Sequence, residues 1–403
     1  VKGFLASPCF PIAVLLAIGP AMAVVQFRAM APAVTAAFVF AVAAGWRQGR
    51  RVPWPRLTPL LGIAAALLAW ALVSAAWSVE PARAATTTLS LGGLLLLAAM
   101  AAQAVGEDTA RNRRRIGTAL VGGLAIGVVV LGFDHLSWNL VRRAARGFPD
   151  WVPSLGFGAK PAVSVLGLLL PLVVAVPGVP PLAKGAVVLG AVGVALWLPA
   201  ESAKIALLAG VAGAGVAAVL PRVARHAGAG ALAVVFLAAP LVFALVLARV
   251  TDASALPPSA SHRVMIWDFA VSRIAERPVA GWGMEASRAI PGGTDTFPRE
   301  TLDRFGLTSE FLLGVFASPN AQRLPLHPHN AALQVWLELG AVGAVIAAAL
   351  AAAVLLGAPS AGAFGAAVAG AVTGQLSFGV WQPWWIASLL LAAVVAGAIG
   401  RGR

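Results

Sequence analysis

Long apolar runs alternate with short polar ones along almost the whole chain, on the scale of a membrane rather than of a soluble core. Runs of about 17 to 25 residues, enough to cross a bilayer as a helix, fall at roughly 8–25, 30–46, 58–77, 86–104, 116–134, 161–177, 182–198, 204–220, 228–249, 329–356, 361–377 and 382–400. They predict an all-α, polytopic transmembrane bundle of about twelve spans, because a helix satisfies its own backbone in lipid. The rhythm breaks over 250–328, a long polar segment. The chain therefore divides into helices over 1–249, one large loop with short helices over 250–328, and the last helices over 329–403, all one functional domain. Small-residue stretches such as Leu208–Gly215 suit close helix packing in lipid. Pro181 and Pro221 punctuate helix ends.

Composition agrees with a membrane protein. Of 403 residues, 60% are hydrophobic and 11% charged, against about 25% charged in soluble domains. A net charge of +14 would point a soluble protein toward nucleic acid; here membrane lipids are the expected partner and nucleic acid is not. Many arginines cluster in the short loops 47–56, 110–117 and 221–226 and in the tail Arg401-Gly402-Arg403. The positive-inside rule makes those loops cytoplasmic, and an even span count puts both termini there. Lys2, the apolar run and Ala21-Met22-Ala23 have the outline of a signal peptide. The run is longer than most such cores and further spans follow at once, so a retained first span is expected. Cys9, the single cysteine, excludes an internal disulfide and a cysteine metal site.

The opposite, outer side then carries unexpected positive charge. Arg142, Arg143, Arg146 and Lys160 fall in one outer loop, and Lys204 opens a helix from that side. Arg263, Arg273, Arg277, Arg288, Arg299, Arg304 and Arg323 lie in the long segment. Long loops translocate regardless of charge, and neighbouring carboxylates neutralise part of it; an anionic ligand is the alternative. Within the segment, 261–277 reads as an amphipathic helix with Ser261 as N-cap, and Val264, Trp267, Val271 and Ile274 on one face. Pro278 ends it and Gly281-Trp282-Gly283 is a turn. Residues 291–325 read as a lid with one short helix.

Where this segment meets the next apolar run stands Leu326-His327-Pro328-His329-Asn330. A neutral imidazole takes a proton from an alcohol near pH 7, so His329, at the head of its helix, is a candidate general base. Asn330 is placed to orient the ring or bond a sugar, and His327 is expected to face solvent. Two histidines without further ligands at useful spacing make a poor metal site, and no cofactor is expected. An anionic ligand such as a phosphate, bound without a metal, needs a cation to hold it. Arg binds phosphate bidentately and stays charged, so Arg263 and Lys204 are the first candidates, with Arg288 and Arg323 behind them. Glu338 is the one ionisable group well inside a span, able to pair with a neighbour or to act at the site.

His329-Asn330, nine residues and then Gly340-x-x-Gly343 resemble the signature of the O-antigen ligase/polymerase family. The stretch from Arg263 through Trp267 to Gly281-Trp282-Gly283 resembles that family's loop helix, and 71–81 (ALVSAAWSVEP) resembles a further recurrent element. The layout matches over most of the chain, the specific motifs over about 60 residues. The resemblance implies an enzyme at the periplasmic face of the bacterial inner membrane. It would move a glycan from undecaprenyl diphosphate to an acceptor such as lipid A-core or another glycan, without metal. It implies His329 as the acceptor-activating residue and Arg263 as a diphosphate binder. The family commonly has Ser-Arg where Ser202-Ala203-Lys204 stands, so Lys204 would be a substitute lacking the guanidinium fork. Ligation and polymerisation remain alternatives, with the His329–Gly340 spacing closer to the ligases. A transporter or flippase usually carries mid-span charges, which are sparse here, and a scaffold leaves the outward basic loop unexplained.

Overall fold

A computed structural model describes residues 2–152, 155 and 158–400; the Arg401-Gly402-Arg403 anchor lies outside them. Every apolar run marked above is helical. After one turn at Lys2–Leu5 come α1 (Cys9–Gln26), α2 (Met30–Gly49), α3 (Pro59–Val73), α4 (Pro81–Glu107), α5 (Ala110–Leu136) and the short α6 (Leu140–Arg146). Then follow α7 (Ala159–Leu169), α8 (Pro181–Trp197), α9 (Glu201–Val219) and α10 (Pro221–Leu247). The polar segment holds α11 (Pro258–Glu276), α12 (Arg299–Arg304) and α13 (Glu310–Phe316), and the chain closes with α14 (Ala331–Leu356), α15 (Ala361–Leu376) and α16 (Pro383–Gly400). Among the described residues, eight helical segments are long and apolar enough to cross a membrane. The first of them, Cys9–Gly49, is α1 and α2 separated by a turn at Phe27–Ala29. The apolar helices Ala159–Ala175, Pro181–Trp197 and Ala361–Leu376 are shorter. The chain is an all-helical, multi-pass membrane protein.

α1 lies along α5, α9 along α15, and α10 along α14. Small residues permit this: a Cβ on Gly210 would meet Ala369 Cβ at 2.8 Å and Gly365 O at 3.0 Å. Packing in lipid has no hydrophobic drive between helices, so such close approach supplies the dispersion contact. Pro181 and Pro221 each occupy a first helical turn, where the missing N–H costs nothing.

The loops sort to two ends of the bundle. Gln48 reaches Ala6 O, Ser7 donates to Asp108, and Arg115 lies over the Phe4 ring, so 4–7, 47–51 and 107–115 share one end. At the other end Arg146 reaches Val25 O, Ser202 meets Ser377, and Ser78 donates to Met284 O. Of the arginine-rich stretches, 47–51 and 110–115 thus lie together at the first end.

The polar segment differs from expectation in detail. α11 starts at Pro258 after Pro257, so Ser261 lies inside it and is not its cap. Its buried hydroxyl donates to Ala253 O at 2.9 Å instead. The Pro-Pro pair, pre-set for a first turn, outweighs the serine. Val264 and Ile274 are buried, with Trp267 and Val271 packed beside them on a core that includes Leu333 and Leu337 of α14. The helix therefore lies on the bundle. The 291–325 stretch carries two short helices, α12 and α13, rather than one.

Candidate active site

α14 begins at Ala331, and Asn330 is its N-cap: the Asn330 side chain accepts from Leu333 N at 2.9 Å. Its amide also donates to Gln375 O at 3.3 Å. Asn330 is thus occupied in holding the helix start, as Asn at this position commonly is, rather than directed at a sugar. His329 immediately precedes the cap with φ +55°, a left-handed conformation uncommon for residues other than Gly and concentrated at functional sites.

Three bonds over-determine that conformation. His329 N donates to His327 Nδ1 at 3.1 Å, and Trp267 Nε1 of α11 donates to Pro328 O at 2.8 Å. His329 Nδ1 lies 2.7 Å from Ser377 O. A carbonyl only accepts, so Nδ1 carries the proton and Nε2 is left with its lone pair. His327 is buried, not solvent-facing. Its ring stands 4.3 Å from that of His329, centroid to centroid, against Gly379, where a Cβ would come within 3.0 Å of it. Nδ1 of His327 accepts from His329 N, so the single proton of the neutral ring is on Nε2, which lies 3.3 Å from the Gln382 side-chain amide.

Both imidazoles are held neutral. Burial pushes the pKa of His329 down to about 4, assisted by the charges of Arg263 and Lys160, while the bond to Ser377 opposes the shift. His327 is depressed further, again chiefly by burial, with His329, Arg288, Lys160 and Arg263 contributing. Arg263, half-buried, donates to Leu376 O at 3.2 Å. Lys160, at the start of α7, lies with its ammonium 5.2 Å from the Phe378 ring centroid. Among the described residues neither Arg263 nor Lys160 pairs with a carboxylate. Two cations without counter-charge beside a neutral base make an arrangement suited to an anion.

The remaining sequence candidates separate. Lys204 pairs with Glu201 at 2.8 Å. Ser202, not Lys204, is the α9 residue that bonds to Ser377, and two positions along a helix turn by about 200°. Arg288 pairs with Glu285 at 2.6 Å, close enough to His327 for its charge to be felt there. Arg323 lies over the Phe269 ring at 5.8 Å. Among the described residues Glu338 pairs with no cation. It accepts from Glu285 N at 2.8 Å, Trp381 Nε1 at 2.6 Å, Gln334 Nε2 at 3.0 Å and the Ser287 hydroxyl. Among the described residues no three His, Cys, Asp or Glu side chains gather as a metal-ligand set.

Lys160 was legible only as an outer-loop charge; nothing local ties it to His329, 169 positions on by their numbers. The glycine motifs have a structural role. α14 breaks at Gly340, φ +64° and ψ −163°, and the turn after α11 enters the break. Trp282 N and Gly283 N donate to Leu337 O and Glu338 O at 2.9 and 2.8 Å, and Ala341 N donates to Pro278 O at 2.9 Å. A Cβ on Gly340 would stand 2.3 Å from Val279 O. The third motif locks on beside it: Met284 N donates to Ser74 Oγ at 2.9 Å and Ser78 Oγ to Met284 O at 3.1 Å. The three motifs form one joint that fixes α11, and with it Arg263 and Trp267, against α14.

Residues 185–348, from α8 into α14, match the family model described as O-antigen ligase. A Rickettsia felis protein named as a polysaccharide ligase is 22% identical over 334 residues, 79% of this chain and 75% of that protein. Proteins of the same designation from Rickettsia conorii and Rickettsia typhi are 32% and 26% identical over 141 and 208 residues. Those two matches span 33% and 48% of this chain but only 30% and 47% of the relatives' own lengths. The matched segment contains Arg263, Trp267, His329, Glu338 and Gly340, the residues that build the site and its joint, and over that segment the chain is similar to the O-antigen ligase family.

Proposed function

We propose that the protein is a glycosyltransferase that moves a glycan from undecaprenyl diphosphate to an acceptor hydroxyl, lipid A-core or a related glycan. His329 Nε2 takes the acceptor proton as the acceptor oxygen bonds to the anomeric carbon. The bond from that carbon to the diphosphate oxygen breaks, and the lipid diphosphate leaves with the electron pair. Arg263 and Lys160 hold the leaving anion, Arg263 through its planar fork. Lys160 takes the place that the sequence assigned to Lys204. The observation that carries this is the convergence of two unpaired cations on a neutral histidine whose tautomer leaves Nε2 open.

The same reading puts this end of the bundle at the periplasmic face of a bacterial inner membrane and the arginine-rich end, with both termini, in the cytoplasm. There the base meets acceptor from water and donor from the bilayer. The test is purified protein with an undecaprenyl-diphosphate glycan and candidate acceptors, the products resolved by mass. Acceptor mass increased by the whole glycan is the expected result. A lengthened donor would instead identify a polymerase, and intact donor with every acceptor would end the assignment.

A further inference from the structure

We infer that Glu338 is a positioning residue for His329, acting through the segment Gln375–Gln382, the last residues of α15 and its connection to α16. Glu338 has this role only if His329 is the base proposed above. The proton on His329 Nδ1 is placed by Ser377 O, a backbone atom of that connection. Ser377 lies just beyond the end of α15, so its position depends on what holds the connection.

Three side chains of the α14 start hold it. Asn330 donates to Gln375 O at 3.3 Å, Gln334 Oε1 accepts from Val380 N at 2.9 Å, and Glu338 accepts from Trp381 Nε1 at 2.6 Å. Asn330, Gln334 and Glu338 are spaced by four and so share one helix face. Glu338 commands two of the three holds, since its second oxygen accepts from Gln334 Nε2 at 3.0 Å and thereby aims Gln334 Oε1 at Val380. A fully buried carboxylate within an apolar helix is costly. Here it joins the polar segment, through Glu285 N and Ser287, to the connection that sets the histidine.

Loss of this hold frees His329 to exchange tautomers and turn, which lowers the chemical step while donor binding by Arg263 and Lys160 persists. The test compares Glu338→Gln and Trp381→Phe with the parent protein in two readouts. In 15N-histidine NMR of the purified protein, His329 is assigned by loss of its signal in His329→Ala. The parent should show one tautomer protonated at Nδ1, and both variants a mixture. Kinetically, kcat should fall by roughly ten- to a hundredfold in Glu338→Gln and less in Trp381→Phe, with donor KM unchanged. Trp381→Phe keeps the bonds to Glu285 and Ser287, so it carries the test alone should Glu338→Gln fail to fold. A single Nδ1–H tautomer with parental kcat in the folded variants overturns the role. Full transfer by His329→Ala would instead remove the base itself, whatever the tautomer signals show.

Discussion

Two clusters of charge, one fully buried and one half-buried, sit at the same end of this bundle, and they are built on opposite plans. Asp134 at the end of α5 and Arg142 in α6 are both fully buried and closed on each other. Arg142 Nε and N meet the two carboxylate oxygens at 2.7 and 2.9 Å, its remaining reach ends at Leu155 O, and Asn139 caps the same carboxylate. Among the described residues Arg263 and Lys160 have no such partner, and they face two neutral histidines. Both plans contribute to the outward positive charge seen in the sequence. The difference shows that charge count does not locate an anion site; absence of a counter-charge does. A closed pair spends its electrostatics on structure, whereas an open pair of cations is stable only in a site that solvent or an anion attends.

The comparison breaks most sharply at His329. His329→Ala should lower transfer by about 10²- to 10⁴-fold, the contribution of a positioned general base, with the melting temperature of the detergent-solubilised protein almost unchanged. Near-parental rates would remove the histidine from the chemistry. Arg142→Met should do the reverse. It leaves Asp134 buried and unpaired, a loss of roughly 3 to 5 kcal/mol, read as a large fall in melting temperature with little change in the rate of whatever remains folded. Replacing both partners, Asp134→Leu with Arg142→Met, should restore much of that loss. If the double variant melts no higher than the single one, the pair is not the closed unit described.

Much of this was legible along the chain, because it is local. Each apolar run became a helix, since period and length decide that in lipid. His329 rather than His327 was singled out by spacing to Gly340 and Gly343. Two local features were read otherwise: Lys204, taken as an anion holder, pairs with its (i, i+3) neighbour Glu201, and Asn330, taken as a ring or sugar contact, caps α14. What the chain hides is long-range. His327 is buried because Gly379, on another connection, leaves room for its ring. Lys160 reaches the site only through the fold. The glycine signature, read beside the chemistry, instead makes room for the turn at Val279 to enter α14.

Arg263→Lys sharpens the open side of the comparison. Lysine keeps the charge but not the fork, so transfer should fall by about ten- to a hundredfold, the worth of a charge-assisted hydrogen bond. Most of the loss should appear in donor KM if the guanidinium binds ground state and transition state alike. Parental kinetics would reduce Arg263 to a solvated charge.

The smallest effect is on pH dependence. In the free protein His329 is held near 4 by burial, with Arg263 and Lys160 adding to the depression, against about 6.5 for an unperturbed imidazole. Activity needs the neutral ring, so kcat/KM should hold as pH falls through 6.5 and decline only toward 4. Stability has the same sign: below about 6.5 the unfolded chain binds a proton that the folded ring refuses, so folding weakens from there down to about 4 and no further from this group. A bound diphosphate brings negative charge between the cations and the ring, which removes part of the depression. The acid limb of kcat, which reports the complex, should therefore lie at higher pH than that of kcat/KM. Coincident limbs would mean that the anion does not sit between Arg263, Lys160 and His329.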